Sequence, residues 1–227
     1  MVINILGTDG VGKTTHIYRL RNDIEESFGI KTRVICKSDM LNTDNFPESQ
    51  FVGVSYETLA VECLPRMKGY SRAMWLMYMF SVMLGRYKPQ DDEIILMDGF
   101  WQKHYGTEKA LGVDGEWIKK TASMFPKTDF ILFLDMEPER IIERGGKKIK
   151  PYECGLDLQC SLESFLRHQN KVRENLKELI KGCNSVTIDA DNDRECIYQC
   201  IKKEVFSQVI KKFPDAGEKF NKCVQPL

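Results

Sequence analysis

Short apolar runs alternate along this chain with stretches whose apolar residues recur every three or four positions. Val2-Ile3-Asn4-Ile5-Leu6 opens the series and predicts a buried strand. After it, Ile17, Leu20, Ile24 and Phe28 fall on one helical face, and Gly29 stands where a helix C-cap is expected. Strand-like runs return at 32–37, 93–98, 130–135 and 185–188. Helical spacing is read over 56–65, 70–86, 115–124, 138–144, 162–181 and 194–211. The stretch 38–50 is polar and long for a loop, and 213–227 carries no clear pattern. Apolar strands separated by helices predict an α/β fold in three layers, a five-stranded parallel sheet with helices on both faces. A single domain over 1–227 is expected. Ligands of such sheets bind beyond the carboxyl ends of the strands. That puts 37–39, Asp98 and Asp135 on one edge with the loop after the first strand.

The most apolar stretch is 73–84. It is shorter than the roughly 20 residues a membrane span needs, and it is apolar all round. It suits a buried helix, or one covered in a homodimer. Lys plus Arg equals Asp plus Glu at 33 each, so composition gives no electrostatic footprint for nucleic acid. The chain opens directly on its first strand with no room for a signal peptide, and a cytoplasmic protein is expected. None of the eight cysteines forms a C-x-x-C pair, and all are expected as reduced thiols.

The chemistry is concentrated in Gly7-Thr8-Asp9-Gly10-Val11-Gly12-Lys13-Thr14-Thr15, the pattern G-x-x-x-x-G-K-[ST] between a strand and a helix. Its glycines let the backbone curl so that successive N–H groups and the helix dipole form an anion cradle. Lys13 is expected to reach the β- and γ-phosphates of ATP, and the Thr14 hydroxyl to bind Mg²⁺. Asp98, ending a buried strand beside this loop, is a candidate second Mg²⁺ ligand.

These residues resemble the thymidylate kinases, P-loop kinases of nucleoside monophosphates. The phosphate loop, with Asp9 inside it, is the most specific part. Weaker likenesses are Leu111-Gly112-Val113-Asp114, Phe133-Leu134-Asp135-Met136-Glu137-Pro138-Glu139, Lys171-Val172-Arg173-Glu174 and Ile188-Asp189-Ala190. The resemblance implies transfer of the ATP γ-phosphoryl group to an acceptor such as dTMP. It also implies a lid at about 144–160, with Arg144, Lys147, Lys148 and Lys150 closing over the phosphates. Lys13, Asp9, Asp98 and Arg144 are thereby the catalytic candidates.

The acceptor side departs from the family. Its members usually carry Asp-Arg-Tyr where this chain has Asp98-Gly99-Phe100, and the helix before it lacks their phosphate-gripping arginine. Lys37-Ser38-Asp39-Met40 replaces their Glu-Pro-Gly-Gly. Asp39, Arg72, Phe80 and Lys103 are the candidate acceptor contacts, with Lys37 and Arg86 as further cations. His104 and His168 stand isolated and are not expected to be catalytic. A same-fold kinase acting on an unphosphorylated hydroxyl is the alternative, with a non-catalytic nucleotide-binding protein behind it.

Overall fold

A computed structural model describes residues 1–85, 90–145 and 149–224. Five parallel strands form one sheet: β1 (Val2–Gly7), β2 (Thr32–Ile35), β3 (Ile94–Asp98), β4 (Phe130–Asp135) and β5 (Ser185–Asp189). Their order is β2-β3-β1-β4-β5, which puts β1 in the middle. The helices are α1 (Lys13–Phe28), α2 (Tyr56–Thr58), α3 (Gly69–Gly85), α4 (Phe100–Ala110), α5 (Gly115–Ala122), α6 (Pro138–Glu143), α7 (Leu162–Ile180), α8 (Arg194–Lys212) and α9 (Pro214–Val224).

Strand side chains alternate between faces, and the apolar runs serve both. Ile3, Ile5, Ile94, Leu96, Leu132 and Leu134 pack under α1 and α8. Val2, Ile95 and Met97 meet α3, α4 and α5 on the other face, while Leu6, Ile131 and Phe133 meet α7. This two-sided burial is why the strands read as continuous apolar runs. The helices α4 and α7 make a close pair: a Cβ on Gly106 would lie 2.7 Å from Leu176 Cδ2.

Three features differ from the sequence expectation. The stretch 100–110, which lies outside every helix the spacing predicts, is α4; polar Gln102, Lys103, His104, Thr107 and Glu108 are buried along it, so no apolar stripe marks the helix. The C-terminal stretch forms α9, whose Phe220 packs on Phe28 and Phe206 with ring centroids 4.9 and 5.6 Å apart. Cys154 and Cys160 are joined by a disulfide rather than free, because the intervening turn brings their Cα atoms to 5.3 Å. Among the described residues no helix is long and apolar enough to cross a membrane.

Candidate active site

The strand ends build the site. β1 runs out at Gly7, and the chain turns through Gly10 (φ 89°) and Gly12 (φ 104°) into α1. These positive φ values are why glycine is needed at both places. Beside β1, Asp98 is registered opposite Ile5, and Gly99 N donates to Ile5 O at 3.0 Å. The carboxylate therefore reaches the start of α1, where it accepts a 2.7 Å hydrogen bond from Thr14 Oγ1. Lys13 Nζ folds back over its own loop, donating to Gly7 O at 3.1 Å and Thr8 O at 2.9 Å.

Asp9 is held from two sides. Lys103 Nζ donates to its Oδ2 at 3.0 Å, and Gln169 Nε2 donates to the same atom at 3.3 Å. Gln169 also accepts from Asp9 N at 3.2 Å and donates to Glu153 O at 2.8 Å. This fully buried amide ties the phosphate loop, α7 and the segment after 150 together.

Two cavities meet at the loop. One, of about 580 Å³, is lined by Asp9, Lys13, Thr14, Asp98, Lys103 and His104, with Tyr18, Lys37, Tyr152 and Glu153 around them. The other, of about 680 Å³, holds His16, Arg144, Asn192, Asp193 and Arg194. Gly10, Gly12, Thr15 and Glu153 belong to both. An anion cradle with a cavity on either side can hold two ligands against one phosphate chain.

No family model matches the chain. Curated relatives do. The probable thymidylate kinase 1 of Saccharolobus solfataricus is 29% identical over 92% of this chain and 95% of its own length. The probable thymidylate kinase of Sulfolobus acidocaldarius is 25% identical over 82% and 86%, and that of Methanosphaera stadtmanae is 25% identical over 93% and 98%. The chain is thus similar to thymidylate kinases over most of its length.

The structure sorts the sequence candidates. Residues 9, 10, 12–15 and 98 converge on the loop, joined by Lys103. Thr8 and Val11 are buried beneath it. Arg144 lines the second cavity, its Nη2 donating to Ala190 O and, at 3.0 Å, to Asn192 O. Lys147, Lys148 and Arg86 lie outside the described residues.

Three acceptor candidates do not line the cavity. Arg72 is turned into the core because Glu108 is there to pair with it, Nε to Oε1 at 3.0 Å. Phe80 is buried against Phe100 and His104, each at 5.2 Å between centroids, and so backs the cavity wall through His104. Asp39 caps its own turn, accepting from Cys36 N at 2.8 Å.

His104, Tyr152, Glu153 and Gln169 were not anticipated in the site. Gln169 had a signal: it interrupts the apolar face of α7 between Phe165 and Val172. Lys37 Nζ sits 5.4 Å from the Tyr152 ring centroid, which links the turn after β2 to the segment after 150.

Burial keeps both histidines neutral. It pushes His168 down to about 4, helped by the Lys103 and Arg72 charges, and His104 well below its ordinary 6.5. Between about pH 6.5 and 4 the unfolded chain therefore binds protons that folded His168 refuses. Stability is full above that window and falls as pH drops through it. The variant His168→Gln is expected to lose less melting temperature than wild type between pH 7 and pH 5. Equal losses in parallel thermal melts would refute this.

Proposed function

We propose that the protein transfers the γ-phosphoryl group of Mg²⁺-ATP to a deoxynucleoside monophosphate, foremost dTMP, yielding ADP and the diphosphate. The two cavities meeting at the phosphate loop carry this reading. The donor base would occupy the side of Arg144, Asn192 and Arg194, and the acceptor the side of Lys103, His104 and Tyr152. The names of the relatives supply thymidylate as the first acceptor to try. We include in the reading a lid over about 144–160 and a cytoplasmic location.

The side chains fit Mg²⁺. Thr14 and Asp98 offer a hydroxyl and a carboxylate already in contact, hard oxygen donors of the kind this ion takes alongside substrate phosphates. Bound there, Mg²⁺ supplies charge neutralisation on the β- and γ-phosphates. Lys13 and the loop N–H groups hold the same oxygens and stabilise the charge that spreads over them during transfer.

A monophosphate acceptor needs no general base. Its phosphate has a second pKa of about 6, so at neutral pH the attacking oxygen is already ionised. That oxygen forms a bond to the γ-phosphorus while the bond to the β–γ bridging oxygen breaks, and ADP leaves with the electron pair. The neutral state of His104 suits this, since no proton must be taken up. A hydroxyl acceptor would require a carboxylate as base, and Asp9 and Asp98 are both engaged by neighbouring side chains.

ADP release from Mg²⁺-ATP should be followed with the common deoxynucleoside monophosphates and the free nucleosides. Turnover is expected on dTMP, at a rate at least tenfold above thymidine. Turnover confined to free nucleosides would overturn the proposal.

A further inference from the structure

Gly99 and Lys103 face each other on the first turn of α4, where Lys103 N donates to Gly99 O at 2.8 Å. A Cβ on Gly99 would meet Lys103 Cβ at 3.2 Å, Lys103 Cγ at 3.4 Å and Lys13 Cε at 3.7 Å. Gly99 also has φ +75°, where a side chain is strained. The Lys103 stem thus crowds a side chain at 99, while Lys13 Cε stands at ordinary contact distance.

Lys103 is only 8% exposed, unusual for a lysine. Desolvation pushes its ammonium down to about 8 against the pull of Asp9, so it still carries its charge at neutral pH. Its Nζ reaches Asp9 in the same cavity wall as Lys13, Lys37 and Asp98. A buried cation is costly unless anions compensate it. Asp9 is one such anion, and the cavity beside it is open to a second. Arg144 and Arg194, on the side of the proposed donor base, line the other cavity.

We infer that Lys103, a buried cation in the wall of the cavity beside the phosphate loop, grips the phosphate of the acceptor nucleotide. The inference rests on the kinase reading above. Asp9 positions the ammonium in the absence of acceptor, and Gln169 positions Asp9. A lysine offers a point charge where arginine offers a planar fork, so the grip at 103 is a single charged contact.

The test is equilibrium binding of dTMP and of thymidine, by calorimetry, to wild type, Lys103→Met and Lys103→Gln. Gln can keep a hydrogen bond to Asp9 and carries the test if the Met variant does not fold. Wild type is expected to bind dTMP about 100-fold more tightly than thymidine, and each variant to shrink that ratio about 10- to 100-fold. Thymidine and ADP affinities should stay within about twofold, because neither ligand uses this contact. Folded variants that keep the wild-type ratio would overturn the inference and leave the kinase reading standing. A wild type that binds dTMP no better than thymidine would instead remove the monophosphate acceptor, and the kinase reading's substrate class with it.

Discussion

Replacing Lys13 by alanine is expected to lower kcat by about 10³-fold, with the melting temperature nearly unchanged. The ammonium donates to two carbonyls of its own loop and lies in the cavity beside Thr14 and Asp98. Lys13 itself lines the cavity, so water can enter in place of the truncated side chain and folding loses little. Transfer loses much more. The charge spreading over the phosphoryl oxygens would have no cation from the loop, and single charge-stabilising groups at such centres are worth about 10² to 10⁵ in rate. Steady-state ADP release with parallel melts measures both quantities. A variant retaining a tenth of wild-type kcat would show that Lys13 does not touch the transferred group.

The second large effect is expected at Asp98. Its carboxylate is fixed by the register of β3 on β1 and by the 2.7 Å bond from Thr14. The variant Asp98→Asn keeps the shape and removes the charge. kcat should fall about 10²-fold, and the Mg²⁺ concentration for half-maximal rate should rise at least tenfold, a direct charge effect on cation affinity. Chelation of Mg²⁺ by EDTA should abolish wild-type turnover. The Mg²⁺ titration is the discriminating readout: an unchanged midpoint in the variant would place the cation elsewhere.

The phosphate loop was legible because its pattern is local. Gly7 to Thr15 carry strand end, turn and helix start in nine consecutive residues, and the glycine φ values follow from that geometry. The apolar strand runs were legible for a related reason, since both faces of each strand are covered. The cavity around Lys103 was not legible in the same way. Its wall draws on α4, α7 and the segment after 150, which only the tertiary fold brings together. Within α4, burial on nearly all sides erased the periodicity that would have announced a helix. Arg72 reads as a free cation until Glu108, 36 residues later, takes it into the core. Phe80 reads as a stacking ring until Phe100 and Phe125 are seen around it. Lys103 was visible as a candidate, but its burial and its ion pair with Asp9, 94 residues away, exist only in three dimensions. The disulfide likewise depends on a turn with Cys160 at φ 54°, a conformation rare for a residue with a side chain.

The central claim is that phosphate passes from ATP to an acceptor that already carries one. The most direct test is phosphorus NMR of the wild-type protein incubated with Mg²⁺-ATP and dTMP. A growing pair of coupled diphosphate resonances belonging to dTDP, matched by ADP and by loss of the dTMP signal, is the expected result. Inorganic phosphate accumulating with dTMP intact, or dTMP produced from added thymidine with no dTDP, would contradict it.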